Sequence, residues 1–118
     1  MRIDGVELIK LRMPLVSPFR ASVLSMDARD LLLPRVVTPA GEGWGECGAL
    51  PDPVYSAEYV DGVAQVLRKY LVPALMQAGE VSANAVAPLL ARFKGHRMAK
   101  AALETAVAEF TVNREFID

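Results

Sequence analysis

Cysteine is nearly missing: Cys47 is the single one in 118 residues. It can form no internal disulfide and no cysteine metal cluster, and a reducing, cytoplasmic setting is expected. Histidine is as scarce, with His96 alone, which gives a histidine metal site or a His–Cys catalytic pair little support. Charge of one sign is not in excess: 13 basic residues stand against 14 acidic ones. That balance lacks the basic surplus of proteins that bind nucleic acid or membrane surfaces. No apolar run approaches the ~20 residues a membrane span needs. The opening Met1-Arg2-Ile3-Asp4-Gly5 has no apolar stretch of the signal-peptide kind. Low-complexity tracts and internal repeats are also lacking.

What is present suits one globular domain. Hydrophobic residues make up 53% and charged residues 23%, enough for a core and too apolar for disorder. The chain divides by periodicity: strands up to about residue 49, helices from about residue 56. That order predicts an α+β fold, a three-stranded antiparallel meander followed by a helical bundle. The first strand is expected over 2–13, where Ile9, Leu11 and Met13 alternate with Lys10 and Arg12, and Pro14 and Pro18 should end it. The second is expected over 30–38. Pro34 cannot donate a ladder bond there, so an edge position or a bulge is expected. Pro39-Ala40-Gly41-Glu42 signals a turn, and Gly43-Trp44-Gly45-Glu46-Cys47-Gly48 a third strand.

Ser56 is expected to cap the first helix, with Glu58 in its first turn favouring the dipole. Val60, Val63, Ala64, Leu67, Tyr70 and Leu71 recur at helical spacing. Pro73 should interrupt and Ala78-Gly79 close the region. Ser82 is placed as the cap of a second helix reaching Phe93, and Gly95 as its end. A third helix should start near His96 or Arg97 with a face of Met98, Ala101, Ala102, Thr105, Ala106 and Phe110. The segment from Thr111 to Asp118 fits neither period.

Candidate chemistry is thin. Gly41-Glu42-Gly43-Trp44-Gly45-Glu46-Cys47-Gly48 is glycine-rich, but no Lys-Ser or Lys-Thr pair follows, so turn and strand glycines account for it better than a phosphate loop. The potential cations Lys94, His96, Arg97 and Lys100 could meet an anion at a helix start; a solvated helix start is the commoner outcome. Cys47 reads as a small buried apolar residue rather than a nucleophile. Glu42, Glu46 and Asp52 match no calcium-loop spacing. Two loops, 15–27 with Pro18-Phe19-Arg20-Ala21-Ser22 and 49–55, mix apolar, proline and polar residues. They can act as lids, or Phe19, Leu50 and Tyr55 can simply pack onto the sheet.

Four segments occur in a familiar order: Val16-Ser17-Pro18-Phe19-Arg20; Thr38-Pro39-Ala40-Gly41-Glu42-Gly43-Trp44-Gly45-Glu46-Cys47; Tyr55-Ser56-Ala57-Glu58-Tyr59; and Phe93-Lys94-Gly95-His96-Arg97-Met98-Ala99-Lys100-Ala101-Ala102-Leu103-Glu104. Residues 1–109 resemble the N-terminal capping domain of the enolase superfamily, within it the o-succinylbenzoate synthases that also racemise N-acylamino acids. The resemblance implies a cap over a (β/α)-barrel. The barrel would supply two lysines and three carboxylates holding magnesium, for proton abstraction beside a carboxylate. It also implies that Phe19, Arg20, Ser22, Val23, Leu50 and Tyr55 contact substrate.

No catalytic or metal residue of such a barrel maps onto this chain. Its lysines are Lys10, Lys69, Lys94 and Lys100, with no Lys-x-Lys pair. Residues 110–118 diverge as a C-terminal tail, and Val23 and Pro34 stand where a larger apolar residue is expected. The expected role is an isolated capping domain, inactive without its barrel partner and free to pair as a homodimer. A self-associating scaffold domain is the rival reading and an independent small enzyme ranks last.

Overall fold

A computed structural model describes the backbone of residues 1–21, 24–54 and 56–117 and the side chains of 1–12, 30–54 and 56–109. Three antiparallel strands, β1 (Gly5–Ala21), β2 (Leu24–Thr38) and β3 (Gly41–Trp44), form a sheet in the order β1-β2-β3. Helices follow: α1 (Val60–Val66), running through a wide π-type segment (Leu67–Leu71) into α2 (Val72–Gln77), then α3 (Ala83–Leu90) and α4 (Arg97–Ile117). This is the α+β meander and helical bundle that the periodicity predicts.

Both long strands outrun their expected ends. β1 does not stop at Pro14 but pairs with β2 as far as Ala21↔Leu24, and the register shifts between Pro14 and Phe19. Both prolines fall at that shift, where a missing N–H costs the ladder least. Pro34 departs further from expectation, because it lies in the middle strand, opposite Leu8 of β1. Its carbonyl still accepts the Gly45 N–H at 2.9 Å, and Leu32 and Cys47 exchange bonds at 3.0 and 2.8 Å. The donor Pro34 lacks would have pointed at Gly45, so the continuous part of β3 stops at Trp44 and Cys47 resumes the pairing as a single bridge to Leu32. One ladder bond is forfeited, and the proline ring is buried on the helix side instead.

Alternation in β2 sorts the two faces. Leu32, Pro34, Val36 and Thr38 are buried beneath the helices, while Arg35 lies on the opposite face. There Arg35 bridges all three strands. It pairs with Glu7 at 3.1 Å and with Glu42, and its guanidinium lies 5.8 Å from the Trp44 ring centroid. Arg35, and then the Trp44 Nε1–H, hold the Glu42 carboxyl below its ordinary range. Thr38 donates to the Gly41 carbonyl at 2.9 Å and accepts from the Ala40 N–H at 3.2 Å, which closes the tight β2–β3 turn.

The first helix is not capped by Ser56. It begins at Val60 after Tyr59, and Ser56 Oγ instead accepts from the Glu58 N–H at 3.2 Å in the preceding turn. Pro73 does not interrupt it either. The Val72 N–H reaches back five residues to Leu67 O, and the widened turn makes room for a proline ring that a regular helix would expel. The widening also turns the face: Val60, Val63, Val66, Leu67, Leu71 and Leu75 are buried, whereas Tyr70 is 45% exposed. Gly79, at φ 73°, closes the helix as expected.

Ser82 does precede α3, though its side chain makes no cap bond. α3 ends at Leu90 rather than Phe93. Its last turns tighten through Ala91 and Phe93 N–H bonds to carbonyls three residues back, and Phe93 meets Tyr70 with ring centroids 5.9 Å apart.

α4 runs on through the segment that fits neither period and ends at Ile117. Its buried face is Ala99, Ala102, Leu103, Ala106 and Val107, with Ala101 and Thr105 exposed. Adjacent alanines carry no direction in a sequence pattern; Leu103 and Val107 fix it. The small face lets α4 approach the sheet so closely that a Cβ at Gly45 would fall 1.9 Å from the Ala102 carbonyl oxygen.

Leu67, fully buried, should lose about 2–5 kcal/mol of stability on change to Ala, read from urea denaturation; an unmoved midpoint would mean that this helix face carries no core. Gly45→Ala should cost about 3 kcal/mol or more by the same measurement, because backbone rather than a movable side chain blocks the added methyl.

Candidate functional site

The two loops that the sequence marks grow from different parts of this frame. One is the far end of the β1–β2 hairpin, where the backbones of Phe19 and Arg20 pair with Met26 and Ser25. The side chains of Phe19 and Arg20, and all of Ser22, Val23 and Tyr55, lie outside the described residues. The other loop leaves the sheet after Cys47. Leu50 is half-buried at its base, and its carbonyl accepts the Val60 N–H at 2.8 Å, which ties the loop's start to the first residue of α1. Beyond it Val54 is 53% exposed. Of the six residues marked for substrate contact, Leu50 is thus the one whose side-chain setting is described.

Glu58, expected in the first turn of the first helix, instead holds the far side of this loop. Glu58 does not serve the dipole of the first helix. Its carboxylate accepts the Met98 N–H at 2.8 Å and the Ala99 N–H at 3.1 Å, one bond to each oxygen. These are the second and third amides of α4, the donors that an N-cap side chain normally satisfies. The local candidate is His96, which follows Gly95 (φ 71°) and has φ 57° itself. That is not the extended conformation from which a residue caps its own helix, and it is uncommon for a residue with a Cβ. A helix start without Ser, Thr, Asp or Asn was the sequence signal that an acceptor must arrive from elsewhere.

The helix start within the 94–100 cation cluster is therefore met by an anion that the protein supplies itself, the Glu58 carboxylate. Lys100 Nζ donates to the Phe93 carbonyl, and Lys94 and His96 line an open groove of about 430 Å³ together with Glu58, Tyr59, Gln65 and Tyr70. The other lysines are dispersed: Lys10 pairs with Asp61 at 3.3 Å, and Lys69 lies 5.5 Å from the Tyr70 ring centroid.

Cys47 is buried at the sheet–helix junction. Burial first, and the negative charge of Glu58 to a lesser degree, push its thiol above the ordinary value, which suits a packing role. The carboxylates Glu42, Glu46 and Asp52 do not converge, since Glu42 is committed to Arg35 and Trp44. Among the described residues no three of His, Cys, Asp and Glu come together in a way that could hold a metal ion, and no helix is long and apolar enough to cross a membrane.

Residues 4–114 match the family model described as mandelate racemase / muconate lactonizing enzyme, N-terminal domain, and the chain belongs to that family. An N-succinylamino acid racemase from Amycolatopsis sp is 59% identical over 109 residues, which are 92% of this chain and 30% of the relative. An o-succinylbenzoate synthase from Bacillus subtilis is 33% identical over 108 residues, 91% of this chain and 29% of the relative. A crystal structure of an enolase-superfamily member from Enterococcus faecalis V583 superposes with a TM-score of 0.88 at 29% identity, covering 98% of this chain and 31% of that one. The chain thus spans about 30% of the length of the relatives it matches.

Alkylation of Cys47 by iodoacetamide at neutral pH should run on the order of 100-fold slower than that of an unstructured peptide thiol, and reach the peptide rate in denaturant. Equal rates in the native chain would show the thiol open to solvent and unperturbed.

Proposed function

We propose that this member of the mandelate racemase / muconate lactonizing enzyme N-terminal family acts as a capping and specificity domain. The loop carrying Phe19, Arg20, Ser22 and Val23 and the loop carrying Leu50 and Tyr55 close over a substrate held by a barrel that is not part of this chain. The observation that carries the proposal is the 59% identity with an N-succinylamino acid racemase over about 30% of that relative's length, together with the match to an N-terminal domain family. The substrate class that follows is an N-acylated amino acid, with o-succinylbenzoate synthesis as the related activity.

The family resemblance implies magnesium, and the described residues do not fit it, because their carboxylates do not converge. No metal-dependent step is therefore assigned to this chain. Its lysines are equally unsuited to a facing pair, with Lys10, Lys69 and Lys100 engaged at separate places. The chain alone is inactive in this reading. Its single buried cysteine agrees with a cytoplasmic location.

A second reading, a self-associating domain without enzymatic role, draws on the apolar groups left in water. Leu11 is 43% and Val54 53% exposed, and closed two-fold pairing is the commonest way to cover such groups.

The test is a graft. Residues 1–109 replace the matching segment of the Amycolatopsis racemase, and racemisation of an N-succinylamino acid is followed with and without magnesium. Metal-dependent turnover by the graft, with none from the 118-residue chain, is the expected result. Turnover by the chain alone, or a folded but inactive graft, overturns the proposal. Light scattering over a concentration series addresses pairing: a concentration-independent monomer mass removes the homodimer.

A further inference from the structure

The chain that leaves the sheet at Leu50 and enters α1 at Val60 is fastened twice, and the two fastenings differ in kind. Its base is closed by a backbone bond, Val60 N–H to Leu50 O, at 2.8 Å. The second fastening, two residues before Val60, is a side chain that crosses to another helix, Glu58 to the Met98 and Ala99 amides. Between them Ser56 Oγ accepts the Glu58 N–H and donates to the Glu58 carbonyl, both at 3.2 Å, which shapes the backbone that aims the carboxylate.

α4 is in turn the helix that lies hardest on the sheet, with Ala99 and Ala102 buried. The carboxylate thereby references the loop to the rigid core of the domain rather than to its own flanks. A charge-assisted pair of bonds from a helix start to a carboxylate is among the stronger local contacts available.

We propose that Glu58 is a positioning residue. By filling the vacant N-cap of α4 it sets the conformation in which the loop that starts at Leu50 is presented, and thereby tunes substrate fit. The consequence for substrate rests on the capping function proposed above; the latch itself does not.

The latch is read by amide hydrogen exchange on the chain, comparing the native sequence with Glu58→Gln. A Gln offers one carbonyl oxygen where the carboxylate offers two. Exchange of Met98 and Ala99 should accelerate about tenfold, and the amides of 54–60 should accelerate with them, while those of β2 and of α1 beyond Val63 hold. Faster exchange at Met98 and Ala99 with an unchanged loop would leave a helix cap and no positioning role. No change at either place would remove the latch.

Should Glu58→Gln not fold, the unaltered chain still decides. In low denaturant the Val60, Met98 and Ala99 amides should open together, with one free energy and one denaturant dependence, and separate openings overturn the proposal. In the graft, Glu58→Gln should raise KM about fivefold or more, with kcat within about twofold, for an effect on fit rather than on chemistry. A latch seen by exchange with unchanged KM would reject the link to substrate while leaving the latch; an inactive parent graft would reject the capping function and leave the exchange result standing.

Discussion

The close seating of α4 on the sheet is the constraint from which most of the structure follows. Helix backbone meets the backbone just beyond β3 at Gly45, where no side chain intervenes and a single methyl would collide with the Ala102 carbonyl. Contact of that kind needs small residues on both sides, and Ala99, Ala102 and Ala106 provide them on the helix. Leu103 and Val107 then fill the flanks of the seam, and α1, its π-type continuation and α3 pack around the seated helix. The glycine-rich run that could pass for a phosphate loop is, at Gly45, a clearance.

Seating α4 in this way leaves its first turn exposed to a local problem. The chain arrives through Gly95 and His96 with positive φ at both, which turns it sharply but gives up a local cap. Glu58, 40 residues upstream, resolves it. Capping at a distance costs the chain more entropy than capping in place, yet it does something a local cap does not: it binds a surface loop to the core helix. On the capping function proposed above, the domain would influence chemistry through where its loops are held, and that junction is where one of them is held.

The outer face of the sheet carries the opposite logic. Arg35 holds Glu7 and Glu42 and lies over Trp44, so that one guanidinium links residues from all three strands. The short β3, deprived of a ladder bond by Pro34, gains side-chain contacts where backbone contacts are fewest. Exposed pairs of this sort contribute little stability each; their effect is to fix the register of a strand only four residues long.

Much of the fold was legible because period and burial go together. Alternation identified the strands, the 3.6 spacing identified the helix face through Leu67 and Leu71, and Gly79 and Gly95 marked real boundaries. Ordered motifs pointed to the family before any geometry was known. Where the local pattern misled, the deciding partner was remote in sequence. Pro34 entered the central strand because the bond it cannot make faces a strand that had room to end. Pro73 stayed inside a helix because a widened turn received it, and Ala101 lost its place in the core to Leu103 and Val107. Ser56 and Glu58 look like the start of the nearest helix, and only the folded chain brings Glu58 to a helix that begins 39 positions later. Composition and periodicity by themselves determined the class of fold and the absence of a disulfide framework, since those depend on which residues are present and how they recur. The direction of each face, the tolerance of each proline and the owner of each helix end were decided by tertiary structure, since hydrogen-bond donors left open in one segment can be satisfied only by groups that folding brings from another.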